Sequence, residues 1–138
     1  MIAYHLSIKN GDLFDGKYHV IGQIGNGSYG DVYKVLDHKG EVYALKVLRL
    51  WEIMGALHEG LIRRFEQEYK VMKISSEYLV HSLDFGTVQG NPFILMEYCP
   101  KGDLSKFISQ DSSKIALYAC DILQGLYALH REGKVHRD

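Results

Sequence analysis

Apolar and polar residues alternate with a period of two through three runs between positions 18 and 50: YHVIGQIG, GDVYKVLDH and EVYALKVLRL. Alternation of this kind turns one face of each run to a core and the other to solvent, as in a half-buried strand. A Gly-rich turn at 25–30 and the step DHKG at 37–40 separate the runs, so the pattern predicts three consecutive antiparallel strands. In ALHEGLIRRFEQEYKVMKIS the period changes. Leu57, Leu61, Phe65 and Met72 fall four or seven apart, which predicts one amphipathic helix with those residues inward. LVHSLDFGTV and PFILMEYC return to a strand pattern, joined by a turn at Gln89, Gly90 and Asn91. The expected sheet has five strands and one early helix.

After Gly102 the spacing is helical to the end. Leu104, Phe107 and Ile108 predict a short helix with Asp103 as N-cap, and Ile115, Tyr118, Ile122, Leu126 and Leu129 predict a long one. Ser112 or Ser113 is the candidate cap at its start and Gly133 the stop at its end. Strands first and helices second give an α+β fold. The predicted division is an N-terminal extension at 1–17, a strand-rich unit at 18–98 and the beginning of a helical unit at 99–138.

Composition narrows the function classes. A chain of 138 residues with 46% apolar and 24% charged residues and only 2 Pro is that of one folded domain. With 16 basic and 17 acidic residues, no overall field favours nucleic acid or an anionic membrane, so any anion must be held locally. Cys99 and Cys120 lack metal-type spacing and sit among apolar neighbours, which fits free thiols in a reducing cytosol. No apolar run reaches the length of a membrane span and the N-terminus lacks the order of a signal peptide, so a cytoplasmic location is expected.

GNGSYG, with Gly25, Gly27 and Gly30, matches G-x-G-x-x-G, a motif shared by unrelated nucleotide folds. A dinucleotide-binding fold needs a helix to start within the motif, but DVYKVLD continues as a strand. No G-K-[ST] follows, which excludes a P-loop. Two readings remain: a Gly-rich hairpin that holds nothing, or a strand-turn-strand flap whose backbone N–H groups approach phosphate oxygens because Gly has no Cβ. In the second, Val32 would present its side chain to a planar base.

Lys46 interrupts the apolar strand VYALKVL on the same face as Ala44. It either reaches water from a strand edge or pairs with a carboxylate, because an unpaired inward charge is costly. Glu68 lies three residues past Phe65 and four before Met72, on the inward stripe of the helix. Glu66, the rival, falls about 160° away around the helix axis and should face solvent. A Lys46–Glu68 pair would hold an ammonium where phosphate oxygens arrive.

With G-x-G-x-x-G-x-V at 25–32, A-L-K at 44–46, an inward Glu68 and H-R-D at 136–138, the chain resembles the eukaryotic-type protein kinase family. The resemblance runs from about Gly16 to Asp138, the whole small lobe and the opening of the large one. It implies that Ile24, Gly25, Asn26, Gly27, Ser28, Tyr29 and Gly30 cover ATP, and that Lys46, anchored by Glu68, contacts its α and β phosphates. Val32 and Ala44 would roof the adenine, Met96 would be the gatekeeper, and the backbones of Glu97 and Cys99 would hydrogen-bond the base. Asp103 matches an acidic position near the ribose, which competes with its N-cap role. Met72 and Leu83 would join an apolar stack running through His136, or serve simply as core. Asp138 would accept the substrate hydroxyl proton, with His136 and Arg137 supporting its loop.

The resemblance also implies Mg²⁺, but the Asn after the catalytic Asp and the D-F-G ligand do not follow within these residues, so no metal ligand is assigned here. The expectation is a fragment of an ATP-dependent Ser/Thr protein kinase, inactive as it stands, with ATP and a protein substrate as partners. Its long helix would expose an apolar face that the missing large lobe or another chain covers, and aggregation is expected. The alternatives are a non-catalytic, pseudokinase-type binding module, a protein tyrosine kinase and, fitting less well, a small-molecule phosphotransferase.

Overall fold

The computed structural model describes residues 2–107 and 111–136. Its strands are β1 (Leu13–Phe14), β2 (Tyr18–Asn26), β3 (Gly30–Leu36), β4 (Val42–Leu48), β5 (Ser82–Val88) and β6 (Asn91–Glu97), and its α-helices are α1 (His58–Val71) and α2 (Ser112–Arg131). The six strands form one antiparallel sheet in the order β1-β2-β3-β4-β6-β5. This is the expected α+β arrangement with one strand more than the alternation predicts.

The period of two divides the sheet into two apolar faces. Tyr18, Val20, Tyr33, Val35, Leu45, Val47, Phe93 and Leu95 pack together on one of them. On the other, Leu48 and Ile94 meet Phe65 of α1, with Leu61, Met72, Phe85 and Met96 at the margin. Full burial of a side chain such as Leu45 or Ile94, both 0% exposed, is worth about 1.5–3 kcal/mol. The helix is thereby fixed against the face that carries the even-numbered residues of β4.

The N-terminal extension is part of this unit. Leu13 and Phe14 pair with His19 and Tyr18, and the buried Phe14 ring meets Phe93 edge-on, with centroids 5.2 Å apart. Further out, Tyr4 N–H donates to the Gln89 carbonyl at 2.9 Å and Asn91 Nδ2 donates to the Tyr4 carbonyl at 2.9 Å. A two-residue strand is too short to show a period, which is why the pattern predicts five strands and not six.

Several boundaries also move. Leu57 lies in a 3-10 turn before α1 and is 55% exposed, so it is not on the inward stripe. Glu66 is half-buried instead of fully solvated. Met72 packs beside the Phe65 cluster, whereas Leu83 is 45% exposed and is not a core residue. The segment Leu104–Phe107 is a 3-10 turn, and Ile108 lies outside the described residues. Asp111, not Ser112 or Ser113, caps α2 by accepting from Lys114 N–H at 3.0 Å. Gly133 ends that helix as expected, with φ +66° and the Lys134 N–H returning to the Leu129 carbonyl at 3.0 Å.

Helix α2 touches the rest of the molecule along a narrow line. Gly125 and Leu129 are its buried residues, while Ile115, Leu117, Ile122, Leu123 and Tyr127 are exposed.

Candidate phosphate-facing site

Strand register builds the site. Gly25 stands opposite Val32, Val32 opposite Lys46, Lys46 opposite Ile94 and Ile94 opposite Phe85. Directly opposed residues share a face. Ile94 and Phe85 pack toward α1, so Lys46 points to the helix. The adjoining row is Lys34, Ala44, Met96 and Ser82.

Lys46 Nζ meets Glu68 Oε1 at 2.6 Å and lies 5.8 Å from the centre of the Phe65 ring. The two side chains keep 31% and 40% of their exposure. An ion pair that wet contributes little stability, up to about 1 kcal/mol. It does fix where the ammonium sits. The inward pairing expected from the two periods is present, and Glu66 is not the partner.

The turn between β2 and β3 closes on itself, with Gly27 N–H donating to the Gly30 carbonyl at 2.8 Å. A Cβ on Gly30 would stand 2.5 Å from the Val47 carbonyl oxygen, so this position admits only glycine without a backbone shift. Ser28 and Tyr29 are exposed at the tip, and Ile24 is 49% exposed beside it. Asn26 turns its side chain inward, donating from Nδ2 to Asp31 Oδ1 at 2.7 Å. Asp31 is buried and also receives the Tyr33 hydroxyl at 3.4 Å. Burial, followed by the neighbouring Asp31 carboxylate, pushes the Tyr33 phenol up to about 12.

Val32 is half-buried in the Lys46 row, and Ala44, 6% exposed, and the half-buried Met96 stand in the adjoining row, so the two rows together form a small apolar wall beside Lys46. Beyond Met96, Glu97 is anchored to His81: its N–H donates to the His81 carbonyl at 3.0 Å, and its carboxylate accepts from His81 N–H at 2.9 Å. Cys99 is exposed and its carbonyl accepts from Gly102 N–H at 3.1 Å. Asp103 caps the 3-10 turn through the hydroxyl and N–H of Ser105, which together hold its carboxyl below the usual carboxylate range. His136 is exposed, and Arg137 and Asp138 lie outside the described residues.

Two cavities, of about 570 and 380 Å³, lie elsewhere: one between the N-terminal segment and the first turn of α1, the other between the ends of α1 and α2. The Lys46 side chain keeps 31% of its exposure and so reaches solvent from its face of the sheet. Among the described residues no three His, Cys, Asp or Glu side chains gather as a metal site.

A family model described as the protein kinase domain matches residues 18–138, nearly the whole chain. The chain belongs to the protein kinase domain family. Among curated kinases, MAP3K epsilon protein kinase 1 of Arabidopsis thaliana is 31% identical over 132 residues, covering 90% of this chain and 9% of its own length. The serine/threonine-protein kinase hippo of Drosophila melanogaster is 33% identical over 129 residues, covering 88% of this chain and 18% of its own length. The chain thus spans less than a fifth of either relative. Solved structures share the fold: PpkA-294 in its apo form superposes with TM-score 0.79 at 21% identity, over 96% of this chain and 54% of that one. The kinase domain of Mycobacterium tuberculosis PknI superposes with TM-score 0.74 at 24% identity, over 96% and 56%.

Within the kinase domain, sequence reasoning finds the Gly-rich turn, Lys46 and Glu68, but it misses Asp31 and Arg49. Each is a charge at the end of an otherwise apolar strand face, a pattern that assigns no role by itself. Arg49 donates from Nη2 to the Gly27 carbonyl at 2.7 Å, and its Nε lies 3.6 Å from Asp31 Oδ2. Among the described residues no helix is long and apolar enough to cross a membrane.

Proposed function

We propose that this chain is the ATP-binding portion of a cytoplasmic serine/threonine protein kinase that, when complete, transfers the γ-phosphate of ATP to a protein hydroxyl. The observation that carries this reading is the 2.6 Å Lys46–Glu68 pair on a partly apolar wall beside a Gly-rich turn. Phosphoryl transfer is mostly positioning and charge neutralisation. Lys46, held by Glu68, supplies a fixed positive charge to the α and β phosphates.

The other residues take complementary roles. The turn from Ile24 to Gly30 covers the phosphates with backbone N–H groups, Val32 and Ala44 pack on adenine, and Met96 bounds the base. The backbones of Glu97 and Cys99 hydrogen-bond the base edge, and Asp103 lies toward the ribose. Asp138 accepts the proton of the attacking hydroxyl. A bound Mg²⁺ would supply further neutralisation of the phosphate charge beside Lys46. The Ser/Thr preference is supported by the descriptions of relatives such as hippo.

Titration of the chain with ATP, followed by calorimetry, tests the proposal. Saturable binding is expected, weakened about tenfold or more by Lys46→Ala and less by Glu68→Gln. Absence of binding by the wild-type chain, or the same affinity in Lys46→Ala, sinks the nucleotide reading and favours a binding module.

A further inference from the structure

The tip of the Gly-rich turn is gripped at two carbonyls by one residue outside it. Arg49 follows β4 directly. Its backbone N–H donates to the Tyr29 carbonyl at 2.8 Å, while its guanidinium Nη2 donates to the Gly27 carbonyl at 2.7 Å. The same guanidinium approaches Asp31 Oδ2 at 3.6 Å through Nε and Glu52 Oε2 at 3.4 Å through Nη1. Asp31, only 7% exposed, is itself fixed by Asn26 and Tyr33. The Arg49 side chain is 18% exposed, so the hydrogen bond that Nη2 donates to Gly27 acts in a partly desolvated setting, while its Nε faces Asp31 without a hydrogen bond.

The consequence for the turn is chemical. Gly27 N–H is committed to the Gly30 carbonyl, and the carbonyls of Gly27 and Tyr29 are committed to Arg49. The amides of Ser28 and Tyr29 make no hydrogen bond among the described residues and are the donors left for an anion. A turn with Gly25, Gly27 and Gly30 has many alternative backbone states when nothing holds it. Apparent affinity falls by the fraction of time the competent state is occupied.

We propose that Arg49 is a positioning residue that clamps the Gly-rich turn in its phosphate-receiving shape and, through Glu52, ties it to the 3-10 turn leading toward α1, the helix that carries Glu68. This inference rests on the nucleotide reading of the site. It adds that order in the turn is imposed by a side chain lying outside the motif.

The test pairs Arg49→Gln, which keeps the backbone N–H and removes the fork, with Arg49→Lys, which keeps the charge without it. Amide hydrogen exchange is measured without nucleotide, and affinities are measured for ATP and for adenosine. In Arg49→Gln, exchange at the two hydrogen-bonded amides of the tip, Gly27 N–H and the backbone N–H of residue 49, should rise about tenfold while the β5 and β6 amides stay protected, with Arg49→Lys intermediate. ATP affinity should fall about tenfold with adenosine affinity unchanged, because only the phosphates use the turn. Unchanged exchange at the tip overturns the clamp whether or not the wild-type chain binds ATP. Equal losses for ATP and adenosine overturn it as well, since they mark a general loss of structure. A wild-type chain that orders its turn through Arg49 yet binds no ATP overturns the nucleotide reading and the phosphate-receiving part of this inference, leaving the ordering role alone. If Arg49→Gln does not fold, Arg49→Lys carries the same comparison.

Discussion

Gly125 of α2 lies against the carbonyl of Tyr78 so closely that a Cβ at position 125 would stand 2.9 Å from that oxygen. The missing side chain is what lets a helix that is exposed along most of its length touch the segment before β5. Alanine there would gain up to about 1 kcal/mol of intrinsic helix propensity. The contact it meets is backbone, which cannot swing aside. We expect Gly125→Ala to loosen α2 from the sheet-bearing part by about 1–3 kcal/mol, as overpacking does. Amide exchange should rise along α2 and stay constant in β3 and β4, and a stabilised α2 would contradict this.

Gly30 makes a second close approach, inside the sheet, where a Cβ would sit 2.5 Å from the Val47 carbonyl oxygen. Gly30→Ala should therefore separate the ends of β3 and β4, costing about 1–3 kcal/mol in a denaturant titration. The same separation moves Arg49, which begins where β4 ends. ATP affinity should fall together with stability. A variant with unchanged denaturation midpoint would show that the two strands yield freely at this end.

Alkaline pH supplies a third test. Burial and the hydrogen bond from its hydroxyl to Asp84 raise the Tyr18 phenol to about 12, and burial together with Asp31 raises Tyr33 to about 12. A phenol whose folded pKa lies above its unfolded value of about 10 favours the folded state while it remains neutral. That stabilisation is complete below pH 10 and is lost as pH rises from about 10 to 12. Thermal unfolding followed across this window should show a falling midpoint, and Tyr33→Phe should make the fall shallower. An unchanged slope in Tyr33→Phe would mean that its ionisation is not linked to folding.

Much of this was legible because period alone fixes a face. Alternation placed Lys46 with Ala44, helical spacing placed Glu68 with Phe65, and the two faces meet in a 2.6 Å pair. Residues whose roles depend on one contact carried no such signal. Asp111, Ser112 and Ser113 are consecutive residues of N-capping type, and only the Lys114 N–H contact selects Asp111. Leu57 fits the helical stripe by spacing but falls in the tighter turn before α1, where the angle per residue differs. Arg49 reads as an ordinary strand-end charge until the Gly27 carbonyl is seen 2.7 Å from its guanidinium.

Fastening Tyr4 to Asn91 across 87 positions has a consequence for the order in which the molecule can be made. A ribosome releases the segment around Tyr4 long before the turn that receives it, and closing so long a loop is slow compared with pairing neighbouring strands. During synthesis the β2–β4 meander can assemble while the N-terminal segment is still waiting. Only when the β5–β6 hairpin emerges does Asn91, whose side chain is 0% exposed in the finished fold, acquire the Tyr4 carbonyl as its acceptor. The segment around Tyr4 is thus made well before it can settle.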